Sequence, residues 1–170
     1  MKRTIILLVV TIAVNLANAQ GCLSEGISFY TQEQIDNFQI NYPGCTEIEG
    51  DVMIYGSEIT NLNGLNILTT IWGWFEIDAI SLTSLTGLEN LNAIGVGLSI
   101  NSSSLTSLSG LDNLYYSGFL IIDHSNLTTF AGLDNLNYID GDLDVSYNNL
   151  LTSFSGLGNL NSIGGDLYVY

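Results

Sequence analysis

Gly132-Leu-Asp-Asn-Leu-Asn-Tyr-Ile-Asp-Gly-Asp-Leu-Asp-Val145 is the stretch that decides how this chain folds. Its Gly-Leu opening recurs as Gly64-Leu65, Gly87-Leu88, Gly110-Leu111 and Gly156-Leu157, with Gly-to-Gly steps of 23, 23, 22 and 24 residues. Self-similarity at this period marks a solenoid, in which each repeat is one coil stacked on the next. The Leu-x-x-Leu-x-x-Ile run of the stretch returns as Leu65, Leu68, Ile71, as Leu88, Leu91, Ile94, and as Leu157, Leu160, Ile163. The third coil has Ser117 at the Ile position. The closing Leu143/Val145 pair matches Val52/Ile54, Phe75/Ile77, Leu98/Ile100, Leu120/Ile122 and Leu167/Val169. Apolar-x-apolar alternation predicts a strand with those side chains turned inward. A glycine two residues ahead of most pairs (Gly50, Gly73, Gly118, Gly141, Gly165) suits a tight corner into the strand.

A polar loop follows each strand, then apolar positions three apart: Ile59 and Leu62, Leu82 and Leu85, Leu105 and Leu108, Leu127 and Phe130. In the last full coil an inserted residue leaves Leu150 or Leu151 to pair with Phe154. Each apolar position recurs at one phase, so stacked coils should form continuous ladders that a single coil could not bury. Asn90, Asn113, Asn135 and Asn159 also recur in phase and are expected to be turn or ladder amides that satisfy backbone groups. The fold expected is a β-rich α/β solenoid, a right-handed β-helix or leucine-rich-repeat-like superhelix of about five to six coils.

Three segments are expected. Residues 1–19 read as a secretory signal peptide: Lys2 and Arg3, an apolar run from Ile5 to Val14, and Ala17-Asn18-Ala19 as the cleavage site. That run is short for a bilayer span. Ala19-Gln20-Gly21-Cys22 has a weak likeness to a bacterial lipoprotein box, with Ala where Leu is usual. Residues 20–47 do not repeat. Thr31 and Gln34 form a capping box, Ile35 and Phe38 follow at helical spacing, and Pro43-Gly44 stops the helix. Cys22 and Cys45 are the only cysteines; an even pair in an exported chain implies a disulfide, worth about 3 kcal/mol by loop entropy. Two free thiols, or Cys22 as a lipid anchor, are the alternatives. A helix tied down by a bridge would cap the first coil. Residues 48–170 are the repeats.

Charge narrows the function. Lys2 and Arg3 are the only basic residues against 17 Asp and Glu, so after cleavage no Lys or Arg remains. Nothing would neutralise phosphates, which argues against nucleic-acid partners. Anionic membrane surfaces would repel the chain. Cations, neutral glycans and proteins with basic patches are the partners left, and plain solubility is the competing reason for the charge.

The stretch Cys45-Thr-Glu-Ile-Glu-Gly50-Asp-Val52-Met-Ile54, with Cys22, the helix near Gln34 to Phe38 and the repeats as in Leu133 to Val145, resembles the receptor L domain family. These are the leucine-rich-like solenoids of insulin and EGF receptor ectodomains. The likeness covers about residues 22–170, and the repeat wording also resembles secreted multi-copy proteins of environmental Gram-negative bacteria. It implies an extracellular or cell-surface binding module. Two features depart from it: no second cysteine-bearing cap and no C-terminal sorting module, so the chain is expected to continue beyond Tyr170. An ordinary leucine-rich repeat is the nearest alternative, since Leu143-x-Val145-x-x-Asn148-x-Leu150 fits that consensus, although the other coils lack the Asn.

Catalytic constellations are scarce. His124, the only histidine, lies between Asp123 and Ser125, and sequence neighbours do not make a triad. Asp142 and Asp144 alternate on the outer strand face, with Asp166 on the next coil, so their oxygens could share a Ca²⁺; solvated charges are the preferred reading. No cofactor and no metal site are expected. A glycosidase pair could draw on the same carboxylates, without a sugar-binding cleft to accompany it. The outward strand positions are the better lead. Met53, Trp74, Glu76, Phe119, Ile121 and Asp144 are expected to face away from the core and form a ligand-binding surface. The function expected is a non-enzymatic, secreted or cell-surface binding or adhesion module that offers a broad sheet face to protein or glycan, without membrane insertion. A structural spacer in a longer surface protein is the alternative, and a glycan hydrolase comes third.

Overall fold

A computed structural model describes residues 21–102 and 104–170, and within them the chain is a parallel β-solenoid. The signal-peptide reading of residues 1–19 lies outside the described residues. The strands are β1 (Ile27–Phe29), β2 (Glu47–Ile48), β3 (Val52–Tyr55), β4 (Thr70–Ile71), β5 (Trp74–Asp78), β6 (Ala93–Asn101), β7 (Tyr116–Asp123), β8 (Tyr138–Ile139), β9 (Leu143–Ser146), β10 (Ser162–Ile163) and β11 (Leu167–Val169). The helices are short: α1 (Gln32–Asp36), α2 (Phe38–Asn41) and a 3-10 turn at Asn63–Leu65.

The alternating pairs stand in one long parallel ladder, β1-β3-β5-β6-β7-β9-β11. Its register stacks Val52, Phe75, Leu98, Leu120, Leu143 and Leu167 in one column, and Ile54, Ile77, Ile100, Ile122, Val145 and Val169 in the next. A second, shorter ladder was not read from the sequence. It joins β2, β4, the start of β6, the start of β7, β8 and β10, at the Ile position that ends each Leu-x-x-Leu-x-x-Ile run. Two residues per strand are too few to show alternation, so this ladder left no period-2 signal.

The apolar positions of the first coils are completely enclosed, from Ile48 through Leu136, and each such Leu or Ile contributes about 1.5–3 kcal/mol. Enclosure fades in the last strand of the long ladder, where Leu167 and Val169 are half exposed. Leu151, not Leu150, packs against the core in the coil with the insertion. Ser117, the exception in the Ile column, is buried and donates its hydroxyl to the Phe119 carbonyl at 2.6 Å.

The Gly-Leu marker has a mechanical cause. Gly87, Gly110, Gly132 and Gly156 sit at φ between 105° and 109°, where L residues are strained. Two residues on, Glu89, Asp112 and Asp134 turn a carboxylate back onto the glycine N–H at 2.9–3.1 Å. The residue after that is the in-phase asparagine. Asn90, Asn113, Asn135 and Asn159 donate to carbonyls of Asn66, Glu89, Asp112 and Asp134 on the preceding coil at 2.6–2.7 Å. They are ladder amides, as their phase predicts.

The segment before the repeats is less foreign to them than its sequence suggests. Thr31 and Gln34 make the capping box, and Ile35 and Phe38 are buried. Cys22 and Cys45 are joined, with Cα atoms 5.7 Å apart. Yet β1 pairs with β3, and Cys22 bridges to Ile48, so this stretch occupies both ladder positions of a coil. Having neither a Gly-Leu pair nor the leucine spacing, it could not be recognised as one.

Candidate ligand-binding face

Outside the long ladder the side chains fall into rows. One row runs Met53, Glu76, Ser99, Ile121, Asp144, Tyr168 by strand register. All are partly exposed, so the strand phase places Met53, Glu76, Ile121 and Asp144 on the outer face. The next row holds Trp74, Gly97 and Phe119. Trp74 is partly buried and Phe119 is 36% exposed; neither enters the core.

Trp74 and Phe119 are two coils apart, and the residue between them is a glycine. Their rings meet above it, centroids 5.8 Å apart and planes inclined by 23°. A Cβ on Gly97 would stand 2.7 Å from Trp74 Cζ3 and 2.9 Å from Phe119 Cβ, so any larger residue would drive the rings apart. On its other side the Phe119 ring lies across Gly141, whose Cβ would come within 2.5 Å of it. Trp74 is fixed further by its backbone N–H, which donates to Asp51 Oδ1 at 2.8 Å. Stacking of this kind contributes about 0.5–1.5 kcal/mol beyond burial.

Beside Phe119 the corner between the two ladders is notched. β6 has Gly95 and Val96 between its paired residues Ile94 and Gly97, whereas β7 has only Gly118 between Ser117 and Phe119. The following coil has Asp140, Gly141 and Asp142 between Ile139 and Leu143, where β7 has only Gly118 and Phe119 between Ser117 and Leu120. The coil that starts at Gly110 is thus one residue short at its corner, and both neighbours stand proud of it. The result is an open depression of about 230 Å³, lined by Gly95, Val96, Tyr116, Gly118, Phe119, Asp140 and Gly141. Tyr116 reaches toward Asp140 Oδ2 at 3.4 Å, and desolvation, then the Asp140 charge, raises its phenol above the usual 10.0. The 22-residue step in the Gly-Leu spacing was the visible trace of this notch, but it does not say where in the coil the residue is missing.

Other expectations resolve differently. Glu76 raises the Tyr55 phenol, after burial, which is the larger cause. Asp142, Asp144 and Asp166 do not converge. Asp142 Oδ1 accepts from the Asp166 N–H at 2.8 Å, Asp144 accepts from the Ser146 hydroxyl, and Asp166 Oδ2 accepts from Tyr168 at 3.0 Å. Among the described residues no group of three His, Cys, Asp or Glu is arranged to hold a metal ion. His124 pairs with Asp123 at 2.9 Å and stacks on Tyr147, centroids 4.7 Å apart. Ser125 turns inward instead: its hydroxyl donates to Asn148 Oδ1, while Asn148 Nδ2 donates to the Ile122 and Ser146 carbonyls at 2.8 and 2.9 Å. Ser125 therefore points away from the Asp123–His124 pair, and the three do not form a triad. Asn148, the consensus asparagine that the other coils lack, is a buried support for two coils.

No helix of the described residues is long and apolar enough to cross a membrane. Geometry defines a disulfide-bonded parallel β-solenoid with an aromatic stack and a notch on one face. Comparison of the chain with protein-family models, with characterised proteins and with solved structures finds no match.

Proposed function

We propose that this protein is a non-enzymatic binding or adhesion module of the receptor L domain type, acting outside the cell after cleavage near Ala19. The observation that carries the reading is the Trp74–Phe119 stack. Two large rings are held over Gly97 on the outer face, where they fill no core. Exposed aromatic anchors on a rigid sheet suit contact with a partner. The disulfide between Cys22 and Cys45 supports an oxidising compartment. In this reading α1 and α2 cap the first coil of a right-handed superhelix, because they lay Ile35 and Phe38 against an interior that would otherwise face water.

The test is attachment of the secreted chain to arrays of immobilised glycans and extracellular proteins. A Trp74→Ser/Phe119→Ser variant should fold, by circular dichroism, and lose the attachment shown by the parent. If the folded variant binds as the parent does, or the parent binds nothing on either array, a spacer is the better description.

A further inference from the structure

We infer that the corner notch beside Phe119 is a subsite for one ring of a neutral glycan, with the Trp74–Phe119 stack as the adjoining platform. This rests on the binding reading above and gives it a ligand class.

Size comes first. About 230 Å³ is below the roughly 300–1,000 Å³ of a pocket that engulfs a whole small molecule. Because the notch is open to one side, it suits one ring of a longer chain. Extent of the apolar surface points the same way. Trp74, Phe119, Val96 and Ile121 are interleaved with Ser99, Glu76, Asp144 and Asp140, so polar side chains break up the apolar surface. A stable protein interface buries about 800 Å² per partner around a continuous core.

Chemistry then selects the ligand. The polar side chains lining the notch are those of Tyr116 and Asp140. At 3.4 Å their mutual bond is long, and a carboxylate has about four acceptor sites, so both have hydrogen-bonding capacity to spare. Acceptors of this kind want donors, and sugar hydroxyls are donors. The part of the Phe119 ring left exposed between Trp74 and Gly141 offers apolar surface to the C–H side of the same sugar ring. Residues 21–170 contain no Lys or Arg, so a uronate, sulfated sugar or phosphate would meet carboxylates without a counter-charge. A basic protein is the other ligand that such a charge would attract. It would be held mainly by long-range attraction, which salt screens, with a Debye length of about 8 Å at 0.15 M and about 3 Å at 1 M.

The experiment uses immobilised cellohexaose, mannohexaose, xylohexaose and chitohexaose, with polygalacturonate and a Lys-rich protein as controls. Binding is followed by biolayer interferometry at 0.05 and 0.5 M NaCl. At least one neutral oligosaccharide should be retained at both salt concentrations with less than a twofold change. Asp140→Ala and Tyr116→Phe should each weaken it at least tenfold, and Trp74→Ser/Phe119→Ser further still. Retention of no neutral oligosaccharide, or retention indifferent to the two notch variants, overturns the glycan assignment. Salt-sensitive binding of the Lys-rich protein alone, lost in the aromatic double variant, overturns it too while leaving the binding reading intact. Binding that survives the aromatic double variant removes that reading as well.

Discussion

Gly110 shows how much of this molecule is decided residue by residue. Its φ of 108° is open to glycine alone, and a Cβ there would stand 2.0 Å from the Leu85 carbonyl oxygen of the preceding coil. Gly110→Ala should therefore lose at least about 2 kcal/mol, from backbone strain and from forcing two coils apart. Gly158 is a glycine for no such reason. It follows Leu157 where Glu89, Asp112 and Asp134 stand in other coils, and nothing lies within 4 Å of its Cβ position. Gly158→Asp should give the Gly156 N–H the acceptor its counterparts have, adding about 0.5–1 kcal/mol at 0.15 M NaCl. Urea melts of the two variants decide the matter. A loss of equal size in both would mean that the corner carboxylates are incidental. The Gly-Leu-acid-Asn wording was visible in the sequence. Its meaning was not, because each partner of the motif lies one coil away.

At the scale of the strand, the alternation in β9 can be tested at adjacent positions. Leu143 is 1% exposed between Leu120 and Leu167, whereas Asp144 is partly exposed between Ile121 and Tyr168. Leu143→Asp puts an unpaired charge into the ladder and should cost more than about 3 kcal/mol. Asp144→Leu loses one bond to Ser146 and should change stability by less than about 1 kcal/mol. Similar damage from both, in urea melts, would mean that the inward and outward rows are not what the register indicates. The long ladder was legible because Leu143 and Val145 alternate with aspartates. β2, β4, β8 and β10 were not, since two-residue strands carry no period. β1 was hidden by lacking the repeat wording. The outward phase of Trp74 and Phe119 was legible from alternation, but their meeting over Gly97 was not. Residues 23 positions apart become neighbours only when the coil length is right to a single residue, and one coil here is short.

At the scale of the whole molecule, residues 21–170 carry almost all of their charge in one sign. Residues 21–170 include all 17 Asp and Glu and no Lys or Arg, so every coil repels its neighbours while the ladders hold them together. Salt should therefore stabilise the fold: raising NaCl from 0.01 to 1 M shortens the Debye length from about 30 to about 3 Å and should raise Tm by several degrees. Alkali should act in the opposite sense, through the phenols. Tyr55, Tyr115 and Tyr116 have their pKa raised above 10.0, chiefly by desolvation, and Tyr168 chiefly by its bond to Asp166. The folded chain thus keeps these protons more tightly than the unfolded chain does. Their contribution is whole below the unfolded value near 10 and falls as pH rises through the folded values. Each phenolate also adds to a charge that is already negative throughout. Phenolate absorbance should give a later titration in the native chain than in urea, and Tm should fall steeply above about pH 10 while remaining less sensitive between pH 7 and 9. Coincident native and denatured titrations would sink the phenol argument. A Tm that falls with added salt would sink the repulsion argument, and would mean that specific carboxylate contacts such as Glu89 to the Gly87 N–H outweigh the net charge.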